Sequence, residues 1–329
     1  MCTAVTYHNG HFYFGRTLDY EVQYGETVVF TPRRFPLKYR YLQERNEHFV
    51  ILGMAHVSDG YPLYYDAINE HGLAMAGLNF VGFAAYGKPA NSKDNVAVFE
   101  LIPWILSQCA NLSQAKALLT RLHLTDDAFS EKLPTASLHW LLADRTGAVT
   151  VEATQDGLHI FDNPVGVLTN SPTFPEQMLH LQDFLQLGAA EPENRFCPGL
   201  HFRPYSRGMG AMGLPGDLSS RSRFVRATFG KWNSVSGDSV AESVGQFFHI
   251  METVSQIRGC CRLADGSYEV TQYTSCCDAD RGIYYYTTYE NRQITGIDMH
   301  REDLDGMALV CYPLEKRQEF LIQNEKADS

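Results

Sequence analysis

An α+β fold built on antiparallel sheets is predicted by three features of the 329-residue chain. Short runs rich in β-branched and aromatic residues come in blocks that alternate with helix pairs. Gly, Asn and Asp turns sit between those runs, closely enough to join neighbouring strands as hairpins. No Walker-type loop is present, so a P-loop nucleotide fold has no support.

The chain opens with a hairpin. Thr3–Tyr7 and His11–Arg16 are its strands and His8-Asn9-Gly10 its turn, which puts Cys2 at the head of the first strand. Further strands are expected at about Thr27–Thr31, Phe49–Ala55, Tyr61–Asn69 and Gly72–Asn79. Val96–Cys109 is apolar nearly all round and predicts a buried helix. Ser113–Leu122 predicts a second helix, with Ser113 as its N-cap. A second β block covers Ser137–Asp144, Ala148–Ala153, Leu158–Phe161 and Gly166–Thr169, with turns at Gly147 and Asp156-Gly157. Helices follow at Pro175–Leu187, Ser219–Phe229 and Asp238–Val254. The last β block holds Tyr268–Ser275, Gly282–Tyr289 and Ile294–Met299, with Glu290-Asn291-Arg292 as a turn. No Pro/Gly/Ser-rich linker and no repeat period divides the chain. Residues 1–329 are therefore read as one domain with a polar tail at roughly 324–329.

Hydrophobic residues make up 44% of the chain and charged residues 20%, enough for a large core. The formal net charge of −11 argues against nucleic acid or an anionic membrane as the main partner. It also requires any anionic substrate to be attracted locally, by particular arginines. There is no basic-then-apolar leader and no apolar stretch of the roughly 18 residues a membrane span needs, so a cytoplasmic location is expected. The eight cysteines are then expected to be reduced thiols. The doublets Cys260-Cys261 and Cys276-Cys277 lack C-x₂-C spacing, so no metal is expected.

Cys2 directly follows Met1, and a small second residue usually allows the initiator methionine to be removed. The mature chain would then start at Cys2, with a thiol and a free α-amine on one residue. Such an amine titrates at roughly 7.7–8.0, so it can take the thiol's proton and return it later. In the run Phe14-Gly15-Arg16-Thr17-Leu18-Asp19, the returning strand carries Arg16 and Asp19 back toward the chain start. Asp19 is suited to hold the amine and Arg16 to favour a thiolate; a surface ion pair would explain the same spacing equally well. Asn79 and Asn170 each end an apolar strand. A strand-end amide can donate to an oxyanion, although asparagine is also a routine turn former. Finally, Leu214-Pro215-Gly216-Asp217 leads into a helix start bearing Arg221, Arg223 and Arg226. Cations in a first helical turn oppose the macrodipole, so an anionic partner is expected. For Arg221 and Arg226 a solvated basic face is the alternative.

Together these segments resemble the bile salt hydrolase and penicillin V acylase family, the choloylglycine hydrolases, which are N-terminal nucleophile hydrolases. The carriers are Met1-Cys2-Thr3, Tyr13–Asp19, Asn69–Phe80, Leu168–Phe174, Gly213–Asp217 and Ser222-Arg223-Phe224. The resemblance implies a four-layer αββα sandwich of two antiparallel sheets, without a metal or organic cofactor, assembled as a homotetramer. It implies Cys2 as nucleophile, with its α-amine as base. Asp19 orients the amine, and Arg16 tunes the thiol. The Asn170 side-chain amide and the Asn79 backbone N–H form the oxyanion hole, and Arg223 supports the site electrostatically. The implied reaction is hydrolysis of the amide bond of glycine- or taurine-conjugated bile salts. Asn79 favours this over penicillin V acylase, where tyrosine is frequent. The run Tyr205-Ser206-Arg207-Gly208-Met209-Gly210 resembles a loop variant linked to taurine conjugates, which makes Arg207 a candidate for the anionic group. Tyr20, Tyr24, Phe129 and Leu133 are candidates to line a steroid pocket. The rival readings are a penicillin V acylase, transfer of the acyl group to another amine, and a catalytically dead binding protein.

Overall fold

Two antiparallel sheets lie face to face in the computed structural model, which describes residues 1–324. The first has six strands. Their order is β12 (Val167–Leu168), β1 (Cys2–Asn9), β2 (His11–Tyr20), β13 (Val270–Asp278), β14 (Ile283–Thr288) and β15 (Thr295–Asp298). The second has eight. Their order is β11 (Gly157–Asp162), β10 (Gly147–Thr154), β9 (Leu138–Asp144), β6 (Ala74–Asn79), β5 (Tyr61–Asn69), β4 (Ile51–Ser58), β3 (Thr27–Thr31) and β16 (Val310–Pro313).

Helices α4 (Ser220–Asn233) and α5 (Val240–Glu252) cover the outer face of the first sheet. Helices α1 (Leu101–Leu106) and α2 (Leu112–Leu119) cover that of the second. The layers therefore run α, β, β, α. Strand β6 shows how the sequence fills them. Ala74, Ala76 and Leu78 join the core between the sheets, while Met75 joins the core under α1 and α2. Period-two alternation feeds both cores because both faces are covered, and each large apolar side chain so buried contributes roughly 1.5–3 kcal/mol.

The structure departs from the sequence expectations in definable places. Val96–Cys109 is not one helix. Val96 and Ala97 belong to β7 (Asp94–Ala97), which pairs in parallel with β8 (Leu122–Thr125); a 3₁₀ turn and the short α1 follow. A fully buried apolar run looks the same as strand or helix by periodicity alone. Helix α2 is capped by Asn111, whose side chain accepts from Gln114 N, so Ser113 is not the cap and Leu122 is strand. The α-helix expected at 175–187 is α3 (Phe174–Leu181) followed by a 3₁₀ turn. The edge strand β16 was not anticipated. The polar tail expected at 324–329 lies, apart from residue 324, outside the described residues. Among the described residues no helix is long and apolar enough to cross a membrane.

Gly15 sets the approach of β2 to β13. A Cβ there would lie 2.0 Å from the Ser275 carbonyl oxygen, so the backbones must separate to admit one. Gly15→Ala is expected to destabilise the protein by at least about 1–3 kcal/mol. It should also disturb Arg16, the next residue. A denaturant midpoint equal to wild type would refute this.

Candidate active site

The β1–β2 register pairs Cys2 with Leu18 and Ala4 with Arg16, so all four side chains share one face of the sheet. Cys2 and Arg16 are buried, at 3% and 1% exposure. The pairing of β1 with β12 (Ala4 opposite Leu168) delivers Asn170 from 168 residues away. Asn170 Oδ1 accepts from Cys2 N at 2.7 Å and from Arg223 Nη2 at 2.7 Å. Its Nδ2 donates to the Asn79 carbonyl at 2.8 Å, which leaves one amide hydrogen uncommitted. Arg223 also donates through Nη1 to the Cys2 carbonyl and Thr3 Oγ1, and through Nε to the Leu218 carbonyl. Asn79, Asn170, Arg223 and the backbone of Cys2 thus form one connected unit.

The direct partners of Arg223 are neutral oxygens, not the anion its place in the helix suggested. Burial lowers its pKa, opposed by Asp19, Cys2 and Glu269. Arg226 is buried as well and caps the carbonyls of Pro215, Asp217 and Thr253, so it is not a solvated face. Arg221 is exposed, 3.9 Å from Glu176.

Arg16 crosses from the first sheet to the second. Its Nη1 donates to the carbonyls of Tyr65 (3.2 Å) and Gly77 (2.5 Å). Both carbonyls are free for a reason. A register shift in the β4–β5 ladder skips Tyr65, and the β5–β6 ladder ends at Ala76. Nε donates to the Thr17 carbonyl, while Nη2 is buried without a partner. Burial works to lower the Arg16 pKa, but Cys2, Tyr273, Asp66 and Asp19 raise it overall. The guanidinium is held as a cation with one donor group still to be used.

With Met1 attached, the Cys2 peptide nitrogen donates to Asn170 and the carboxylate of Asp19 is engaged elsewhere. Asp19 accepts instead from Thr17 Oγ1 at 3.0 Å and Thr271 Oγ1 at 2.6 Å. Thr271 lies directly opposite Asp19 in the ladder between β2 and β13, beside a register shift that precedes Tyr273. The Asp19 carbonyl and the carboxylate of Glu269 hold the Met1 ammonium. Burial pushes the Glu269 pKa up, with the ammonium opposing.

The proposed pocket residues separate into groups. The rings of Tyr20 and Tyr24 lie 5.7 Å apart, tilted by 38°, beyond the end of the Cys2–Leu18 pair. Phe129 packs on Phe99 (5.2 Å) and Tyr61 (6.0 Å), and Arg40 holds its carbonyl. Leu133 is half-buried in a turn closed against Ser130, and Arg207 is exposed. Clefts of about 470 and 480 Å³ lie elsewhere, one lined by Arg45, His48 and His71, the other by His8, Lys231 and Trp232.

Several site residues escaped sequence reasoning. Asp66 is fully buried and accepts from Tyr273, Ser275 and Tyr284; burial raises its pKa and Arg16 opposes that. Gln177 and Ser220 anchor the Asn170 backbone. An isolated polar residue in an apolar strand, as Asp66 is, was the readable signal. Nothing local marked Glu269. Among the described residues all eight cysteines are free, and no group of three or more His, Cys, Asp or Glu is placed to hold a metal ion.

Residues 2–312 match the family of linear amide C–N hydrolases, choloylglycine hydrolase family. A bile salt hydrolase/transferase of Lactiplantibacillus plantarum is 48% identical over 98% of this chain and 100% of its own length. A bile salt hydrolase/transferase of Clostridium perfringens is 36% identical over 96% of this chain and 98% of its own. The solved structure of a mutant conjugated bile acid hydrolase from Clostridium perfringens superposes with a TM-score of 0.92, at 35% identity, over 98% of this chain and 100% of that one. Penicillin V acylase from Agrobacterium tumefaciens shares the fold, with a TM-score of 0.76 at 21% identity, over 96% of this chain and 92% of that one. The fold, the clustered residues and these matches agree: the chain belongs to the choloylglycine hydrolase family of linear amide C–N hydrolases.

Proposed function

We propose that this enzyme hydrolyses the amide bond of glycine- or taurine-conjugated bile salts, with Cys2 as nucleophile. The observation that carries the reading is the grip on Cys2: Asn170 on its nitrogen, Arg223 on its carbonyl, and an unpartnered Nη2 of Arg16 buried nearby. Loss of Met1 converts the Cys2 nitrogen into an α-amine already held by Asn170 Oδ1. That amine takes the thiol proton as sulfur attacks the amide carbon. The oxyanion is met by the free Nδ2 hydrogen of Asn170 and the Asn79 backbone N–H. The ammonium then protonates the leaving nitrogen, the C–N bond breaks, and a thioester remains. Water, deprotonated by the same amine, attacks the thioester carbon; bile acid leaves and the thiol regains its proton. Asp19 holds the surrounding strands in register, and Arg16 balances negative charge on sulfur. The intact mass of active enzyme should lack methionine.

The relatives' names also favour a second outcome for the same thioester, capture by an amine in place of water. The site places no barrier to this, since the base can deprotonate an amine as readily as water. We further read the chain as one cytoplasmic domain that assembles as a homotetramer. Phe196, Leu200, Phe202 and Tyr205 are all more than half exposed in one segment beside Arg207, which supports an interface there. Tyr20, Tyr24, Phe129 and Leu133 remain the proposed steroid contacts and Arg207 the proposed anion contact.

Release of taurine and glycine from a panel of conjugates, set against cleavage of penicillin V, tests the substrate. Conjugated bile salts should be cleaved at least ~10-fold faster in kcat/KM, the size of discrimination a differently shaped apolar group gives. Preference for penicillin V would overturn the assignment. New conjugates formed with excess free amino acid would establish the second outcome.

A further inference from the structure

We propose that His139 and Glu152 are positioning residues that set Asn170 and Asn79 relative to each other; this rests on the oxyanion roles given above. His139 lies in the apolar strand Leu138-His139-Trp140-Leu141-Leu142, and both it and Glu152 are buried, at 0% and 1% exposure. The His139 Nε2 is 2.9 Å from the Thr169 carbonyl, which can only accept, so Nε2 carries a hydrogen. Nδ1 then faces Glu152 Oε1 at 3.0 Å. A proton must lie in that contact, as imidazolium with carboxylate or as imidazole with carboxylic acid. A bare lone pair against a buried carboxylate would repel.

Glu152 Oε1 also accepts from Phe174 N at 3.0 Å. The pair therefore holds both ends of the 169–174 turn, and Asn170 lies between them. On its other side the His139 ring stacks on Phe80 at 4.3 Å and 9°. Phe80 follows Asn79, and its N–H is fixed to the Ser137 carbonyl at 2.8 Å. One buried polar unit thus contacts the residue beside each oxyanion donor, which come from segments about 90 residues apart in sequence. Apolar residues of similar volume would stabilise this core equally well or better, so core packing alone does not account for the pair. Donor placement does, because an oxyanion hole must be held within about 0.5 Å of its productive geometry.

The test compares Glu152→Leu with Glu152→Gln. Leucine removes the acceptor of both His139 and Phe174, while glutamine can keep an oxygen at the one position where both contacts converge, holding Phe174 N and accepting from a protonated Nδ1. In Glu152→Leu, kcat for a conjugated bile salt should fall ~10²-fold, the cost of misplacing catalytic groups by about an ångström, with KM little changed. Glu152→Gln, which keeps the hold on Phe174, should lose distinctly less kcat than Glu152→Leu. Iodoacetamide labelling of Cys2 supplies the control, because alkylation of sulfur develops no oxyanion. Its rate should be the same in all three proteins. If labelling and hydrolysis fall together in Glu152→Leu, the pair merely supports the fold and the proposal is overturned. An active wild type whose kcat survives Glu152→Leu overturns this proposal alone. A wild type that cleaves no conjugate overturns it together with the functional reading.

Discussion

Replacement of Cys2 by alanine is expected to lower amide hydrolysis at least ~10⁴-fold, as loss of a covalent nucleophile does when its partners act with it as a unit. The fold should survive. The side chain loses one small buried atom, a change of about 1 kcal/mol. The contacts that assemble the site use the Cys2 backbone, through N to Asn170 and through O to Arg223, and alanine keeps both. Asn79, Asn170 and both arginines therefore stay in place around an empty centre. The variant should still bind conjugated bile salt, measured by calorimetry, with a dissociation constant close to the wild-type KM if acylation is slow. Residual turnover above one part in a hundred would show that sulfur does not form the bond. A wild type that hydrolyses nothing, with ligand binding unaffected by Cys2→Ala, would favour the rival reading of a catalytically dead binding protein.

The opening hairpin was legible because its information is local: strand, Asn9-Gly10, strand. The register that pairs Cys2 with Leu18 follows from that turn. What grips Cys2 was only partly legible. Asn170 reaches it because Leu168 lies opposite Ala4, and pairing between such distant segments leaves no trace in local periodicity. The role of Arg16 as a bridge between sheets was hidden for the same reason. It depends on a bulge at Tyr65 and on a ladder that stops before Gly77, neither marked by residue type. For Arg226 a solvated basic face stayed open as an alternative because the sequence does not show the carbonyls it caps. The steroid-pocket choices were the least legible. Phe129 is drawn into a cluster with Tyr61 and Phe99 by contacts that no spacing rule predicts.

Asn170→Ala should be the most damaging change outside the nucleophile. Deleting one oxyanion donor costs on the order of 10²–10³ in kcat, and here the deletion reaches further. The Cys2 nitrogen loses its acceptor, Arg223 loses the partner of Nη2, and the Asn79 carbonyl loses its donor. Each buried group left unpaired costs about 1–3 kcal/mol, so a fall in stability of roughly 3 kcal/mol should accompany the loss of rate. Asn170→Asp separates the two effects. Its carboxylate keeps an oxygen for the Cys2 nitrogen and for Arg223, and it supplies the negative charge that the buried guanidinium lacks among its direct partners. It offers no hydrogen to the Asn79 carbonyl or to an oxyanion, and it places like charge where the oxyanion would form. Thermal stability should therefore recover toward wild type while kcat stays as low as in the alanine variant or lower. An aspartate variant with a tenth of wild-type kcat would mean that Asn170 only braces the nucleophile, and that the oxyanion is stabilised by other groups.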